Sequence, residues 1–452
     1  MGPRDERNTP QDDLFRNRLE NLLDPRHPLV KLADRIDWSV FEREWGELFV
    51  SDTGRPAAPP RLIAGLLYLQ QAYNLSDEAV VQRWVENPYY QYFCGETYFQ
   101  HELPIDPSSL TRWRQRIGEE GAELLLAQTV EVARNEGLVK RQSLERVSVD
   151  TTVQEKAVTY PTDAKLYARG IKNLTKLARN HGIPLRQSYA RKAPRALQQV
   201  NRYAKARQMK RKKRMTRQLK TYLGRVTRDI ERKLDGQPAA VQQAFEEPLS
   251  RAHQLLNQTR QSKNKLLSWH APEVEVIGKG KVAQPWEFGV KVSLAVTNRE
   301  QFIVGARSMP NNPYDGHTLE EALEQASIIS GVRAKRCYVD RGYQGAAVPG
   351  VAVYRSGQRR GVTKTIKREL ARRSGIEAVI GHLKTDGRMD RCRLKGALGD
   401  AINAPLAAAG YNLRFLLREL RIILLRVLKR LLGDAELDGI GTRPSAETAV
   451  AT

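Results

Sequence analysis

An aspartate stands in the middle of a β-branched run, Ser148-Val149-Asp150-Thr151-Thr152-Val153, and no other feature constrains the fold as much. Valine and threonine favour extended backbone, whereas aspartate is disfavoured inside a strand unless its carboxylate meets a partner or a cation. A second acid, Asp340, follows the short run Arg336-Cys337-Tyr338-Val339 and precedes a turn at Arg341-Gly342-Tyr343. A third, Glu377, lies in a stretch of helical periodicity over 373–384. Two strand-borne carboxylates and one on a helix suit a pair of Mg²⁺ ions, with Mn²⁺ as a substitute. Each acid alone reads more readily as an edge residue, a turn cap or a surface group. Together they point to metal-dependent phosphoryl transfer.

The neighbours of Glu377 extend that reading. Arg373 lies four residues before it and Lys384 seven after, which places all three near one helix face. A carboxylate for a cation, flanked by two cations for phosphate, suits a scissile strand, although an ordinary salt-bridged surface stripe has the same pattern. Charge identifies the partner class. Lys and Arg number 75 against 51 Asp and Glu, a formal charge of +24, which favours a polyanion and double-stranded DNA first.

An anionic membrane is the weaker partner. The apolar stretch 413–432 is interrupted by Arg414, Arg418, Glu419, Arg421, Arg426, Lys429 and Arg430, so it reads as an amphipathic helix packed on a core. The N-terminus leads into no apolar segment of a signal peptide. Cys94, Cys337 and Cys392 show no CxxC spacing, so neither zinc ribbon nor disulfide framework is supported and a cytoplasmic, reducing setting is expected. No nucleophile elbow or phosphate-binding glycine loop with Lys-Ser/Thr is present.

The pattern along the chain divides it. Residues 1–28 read as a mobile segment, and 29–141 as a helical DNA-binding domain. Asp106-Pro107-Ser108-Ser109 is a helix-start signal. Behind it Leu110, Trp113 and Ile117 face inward, leaving Arg112, Arg114, Gln115 and Arg116 for a major groove or, equally, for a solvated basic face. Residues 142–159 and 271–400 read as an α/β catalytic core. Its strands are the Asp150 run, a hairpin at 286–296 and 301–307, the Asp340 strand and Val351-Ala352-Val353-Tyr354, a mixed five-stranded sheet with helices. A basic helical insertion, 160–270, interrupts that core. Its run 205–220 holds nine Lys/Arg and no acid, including Lys210, Arg211, Lys212, Lys213 and Arg214. Such a run is a solvated arm or a sequence-independent contact to DNA backbone. The amphipathic helix closes 401–432, and 433–452 reads as a disordered tail.

At these residues the chain resembles a DDE transposase of a bacterial insertion sequence, in the type-five group. The resemblance runs from about His27 to Arg418. Its first catalytic motif resembles Ser148-Val149-Asp150-Thr151-Thr152-Val153-Gln154. The second is Val339-Asp340-Arg341-Gly342-Tyr343, preceded by Asn312-Pro313-Tyr314-Asp315-Gly316-His317-Thr318-Leu319, and the third matches at Arg373, Glu377 and Lys384. Leu370 stands where that signature has tyrosine, so the tyrosine's role does not carry over. The resemblance implies an RNase H-like catalytic core, with Asp150, Asp340 and Glu377 catalytic and binding two divalent ions. It further implies a nucleoid-associated protein that binds terminal inverted repeats and target DNA, works as a homo-oligomer, at least a dimer, and transfers a 3′-hydroxyl. Rival readings are an RNase H-fold nuclease without joining activity and an inactive DNA-binding regulator.

Overall fold

The computed structural model describes residues 16–48, 56–259, 261–279 and 285–432, the last eleven as helix backbone alone. Eight described helices precede the first strand. They are α1 (Leu19–Leu22), α2 (Pro28–Ala33), α3 (Ser39–Gly46), α4 (Pro60–Ala72), α5 (Asp77–Glu86), α6 (Pro88–Phe93), α7 (Ser108–Asn135) and α8 (Arg141–Leu144). Proline occupies the first turn of α2, α4 and α6, where a missing N–H costs nothing. Ser76 Oγ caps α5 by accepting from the Ala79 N–H at 3.1 Å. Helix α4 is buried along nearly its whole surface, which its apolar sequence permits.

Of the mobile segment expected over 1–28, residues 1–15 lie outside the described residues and the remainder is built into the fold. Leu19 is fully buried, its N–H donates to the Thr97 carbonyl at 2.8 Å, and it packs with Leu23 and Val30. Leu19 and Leu23 stand four residues apart, but a single helical turn among charged residues is too short to announce a packed element. The tail expected over 433–452 lies outside the described residues.

The sheet contains β1 (Arg146–Glu155), β2 (Glu275–Gly278), β3 (Trp286–Thr297), β4 (Ile303–Met309), β5 (Arg336–Val339) and β6 (Ala352–Arg355). The order is β2-β3-β1-β5-β6, with β4 also on β3. The β1/β3 and β3/β4 ladders are antiparallel, while β1/β5 and β5/β6 are parallel. This is the expected mixed sheet with one strand more, β2, a four-residue piece that pairs with the start of β3. Strands β1 and β3 approach so closely at Gly289 that a Cβ there would lie 1.9 Å from the Gln154 carbonyl oxygen.

Helices α9 (Asp163–Asn180), α10 (Lys192–Lys205), α11 (Met209–Leu234) and α12 (Ala239–Asn257) form the insertion after β1. It has its own apolar core, which includes Leu174, Leu219, Leu223, Ile230 and Phe245. Leu219, Leu223, Val226 and Ile230 recur at helical spacing along the second half of α11, while the basic first half stays largely outside.

The remaining helices are α13 (Leu319–Ser330), α14 (Lys364–Arg372), α15 (Gly375–Thr385) and α16 (Gly396–Leu432). Helix α16 starts before the expected 401 and is embedded in the main core: Ala404, Leu406, Ala407, Ala408 and Ala409 are buried. Its Asn412 side chain bonds both the N–H and the carbonyl of Ile303, at 3.0 and 2.8 Å, and donates to Thr129 Oγ1 at 2.9 Å. One apolar core thus runs from the N-terminal helices through the sheet to α16. Among the described residues no helix is long and apolar enough to cross a membrane.

Candidate active site

The register of two parallel strands brings the first two acids together. Ser148 lies opposite Tyr338, so Asp150 and Asp340, each two residues further along, emerge at one level on one face. Glu377 comes from the first turn of α15. Of the helix expected over 373–384, α15 forms all but the first two residues, and Arg373 and Ser374 make the tight turn that joins it to α14. The Ile376 N–H donates to the Arg373 carbonyl at 3.0 Å, and that of Glu377 to the Ser374 carbonyl at 3.1 Å.

That junction turns Arg373 inward. The sequence places it on a DNA-facing surface, yet it is only 6% exposed. Arg373 Nη2 lies 2.5 Å from Asp150 Oδ2, and Nη1 lies 3.4 Å from Asp340 Oδ1 and 3.9 Å from Glu377 Oε1. The three acids therefore converge on one guanidinium. Their side chains are 18, 50 and 70% exposed respectively, so Asp150 forms the floor of the site and Glu377 its rim. Burial pushes the Asp150 carboxyl above its ordinary value. Arg373 and the Thr151 N–H pull the other way without cancelling that effect, and the charge of Asp340 adds to it.

Three carboxylates against one guanidinium leave an excess of negative charge, and their hard oxygens match Mg²⁺ or Mn²⁺. Donor chemistry thus fits divalent ions. Among the described residues, however, no group of three or more His, Cys, Asp or Glu is gathered to hold an ion as it stands. An arginine is at the centre instead, its Nε buried without a hydrogen-bond partner.

Residues that the sequence reading did not single out support this arrangement. Asp315 Oδ1 accepts from Thr151 Oγ1 and from Lys291 Nζ, both at 2.9 Å, tying the 312–319 motif to β1 and β3. Tyr314 clamps the turn after Asp340: its hydroxyl donates to the Gly342 carbonyl and accepts from the Gln344 N–H at 2.8 Å. Buried Glu369 meets Arg146 at 3.1 Å, Arg336 at 3.3 Å and the Tyr338 hydroxyl, which seats α14 on β1 and β5. A lysine between Val290 and Val292 is the one sequence signal that marks Lys291.

The other expected contacts separate into exposed and enclosed groups. Lys384 sits about two turns along α15 from Glu377, roughly 10 Å by helical rise, with Nζ 3.6 Å from Glu287 Oε1. Arg112, Gln115 and Arg116 are exposed on the first segment of α7, which a kink at Gly118 (φ 64°) separates from the rest. Arg114 corrects the expectation that it faces DNA. It is buried, with Nη2 2.5 Å from Asp77 Oδ1 and 2.8 Å from Gln70 Oε1, and Nη1 3.0 Å from Asp77 Oδ2. Four residues after Leu110 and three before Ile117, it shares their inward face. On α11, Lys210, Arg211, Lys213 and Arg214 are exposed and Lys212 is half-buried.

Comparison with known proteins matches two family models. Residues 17–116 match one described as Transposase domain (DUF772), and residues 234–413 match one described as Transposase DDE domain. The second match includes Asp340, Arg373, Glu377 and Lys384, while Asp150 lies between the two. An uncharacterised protein of Rhizobium meliloti, ORF8 in the nfe locus, is 52% identical over 198 residues, which is 44% of this chain and 95% of that protein. No solved structure matches. The mixed sheet and the DDE match define a DNA-processing enzyme with an RNase H-like fold. The chain belongs to the DDE transposases of insertion sequences.

Proposed function

We propose that the protein binds the terminal inverted repeats of its insertion sequence, cleaves at the element ends and joins the freed 3′-hydroxyl to target DNA. The observation that carries this reading is the convergence of Asp150, Asp340 and Glu377 on one point above the sheet. These three would hold two Mg²⁺ ions, or Mn²⁺ in their place. Bound there, such ions supply Lewis acidity, activating water and steadying a departing oxygen. The residues of the chain provide position. Asp150 is anchored by the strand and by the Thr151 N–H at 2.8 Å, and Asp340 by the clamped turn behind it. Most of the rate in phosphoryl transfer comes from such positioning and charge neutralisation.

DNA would be held at three places. The exposed Arg112, Gln115 and Arg116 face of α7 serves for inverted-repeat recognition within the 29–141 region, and Lys384 serves for backbone near the scissile phosphate. Lys210–Arg214 of the insertion grip backbone elsewhere. Those five cations crowd the first turns of α11, where the helix dipole disfavours positive charge, and a phosphate backbone relieves that repulsion. Synapsis of two element ends calls for at least two copies of the chain acting in the cytoplasm on nucleoid DNA.

Asp150→Asn, Asp340→Asn and Glu377→Gln should each abolish cleavage of an element end in Mg²⁺ while leaving DNA binding. Wild-type cleavage by any of them would sink the assignment. A pre-cleaved end supplied to the wild type tests joining, and cleavage without joining would leave a nuclease.

A further inference from the structure

We infer that Arg373 is the counter-cation of the carboxylate trio in the ion-free protein, and that divalent ions enter by displacing it from Asp150. The inference rests on the two-ion reading above and assigns a positioning role to an arginine within it. Both Nη atoms of Arg373 are committed to the acids, at 2.5, 3.4 and 3.9 Å, and its buried Nε has no hydrogen-bond partner. Among the described residues, its ionic partners are these three carboxylates.

Like charges this close, with Asp150 largely desolvated, need a cation among them. Arginine supplies one that cannot be lost by deprotonation, so the site gives it up only by movement. The pair with the largely buried Asp150, at 2.5 Å, is a charge-assisted hydrogen bond of the stronger kind. Entry of ions and release of Arg373 are then one exchange. The released guanidinium is a planar fork that matches phosphate as well as it matches carboxylate. This reconciles an expectation with an observation that otherwise conflict: a DNA-contacting arginine expected from the third motif, and a buried ion pair at the same residue.

The test is Mn²⁺ binding by the full chain without DNA, read from the electron paramagnetic resonance of free Mn²⁺. Arg373→Gln removes the competing cation and should bind Mn²⁺ about tenfold more tightly than the wild type, a shift of one decade in Kd. Arg373→Lys keeps the charge and should stay near wild type, as should the neighbouring control Arg372→Gln. Saturating Mn²⁺ should also raise the Tm of Arg373→Gln more than that of the wild type. Binding by folded Arg373→Gln that is no tighter than wild type overturns the inference.

Should Arg373→Gln not fold, the wild type answers directly. Its Arg373 Nε–H resonance, assigned by its absence in Arg373→Lys, should shift on Mg²⁺ addition, and a resonance unmoved at saturation overturns the inference. Asp150→Asn separates the two levels. If that variant retains full Mn²⁺ binding, the active-site reading itself fails, whatever Arg373 does.

Discussion

The α/β core and the helical insertion handle positive charge in opposite ways. In the core and the helices packed on it, basic residues turn inward where acids wait for them: Arg373 among Asp150, Asp340 and Glu377, Arg114 on Asp77, Lys156 between Glu273 and Asp400 at 2.9 Å each. On α11 no residue of the run 210–214 forms an ion pair among the described residues, and the run stays largely outside. Sequence charge alone does not separate these cases. What separates them is whether the fold delivers an acid to the same place, because a buried unpaired cation is too costly to persist.

Substitutions on each side should sharpen that contrast. The largest effect is expected in the core at Gly289→Ala, whose Cβ would meet backbone at 1.9 Å and force β1 from β3. A loss of about 3 kcal/mol or more, read by urea unfolding, is expected, and near-wild-type stability would refute the close approach. Next comes Arg114→Met, which removes the cation bonded to Asp77 and leaves it the Gln70 amide. Asp77 is 23% exposed at its side chain, so roughly 2 kcal/mol is expected, below the usual cost of a fully buried pair.

The same pair makes a pH prediction. Burial raises the Asp77 carboxyl, but the hydrogen bonds and charge of Arg114, together with the Gln70 amide and the charge of Arg388, outweigh it and hold the group below its ordinary value of 3.8. A depressed carboxylate stabilises the fold above its unfolded value and loses that contribution as pH falls through the folded one. The gap in unfolding midpoint between wild type and Arg114→Met should therefore be full at pH 6 and narrow below pH 3.8. A gap independent of pH would mean that the ion pair contributes little.

In the insertion, Gly170→Ala places a Cβ 2.8 Å from the Trp269 ring, against side chains that can shift, so about 1 kcal/mol is expected. The smallest stability effect belongs to Lys210→Gln, Lys213→Gln and Arg214→Gln combined, within about 0.5 kcal/mol. Their effect should appear in DNA affinity, lowering the salt slope by about one unit for each phosphate that is no longer neutralised. A large loss of stability there would show that these cations are enclosed after all.

Much of the candidate site was legible because strand chemistry is local. An aspartate among Val149, Thr151 and Thr152 needs a reason to be there, and a carboxylate at the end of Cys337-Tyr338-Val339 sits where parallel strands present their residues. Strand β2 was not legible, since Glu275-Val276-Ile277-Gly278 is too short for a pattern and draws its pairing from β3. Nor was the merging of the N-terminal helices with the sheet, which depends on Asn412 meeting Ile303 and Thr129 from more than a hundred residues away.

The sequence by itself determined most of the elements, the acids and the excess of positive charge, because propensity, periodicity and composition act over a few residues. Only the tertiary structure decided which cations face outward. The Ser148–Tyr338 register sets two acids at one level, and the turn at 373–374 swings an arginine between them. Long-range pairing costs chain entropy and is repaid only by the whole fold, so no local pattern can announce it.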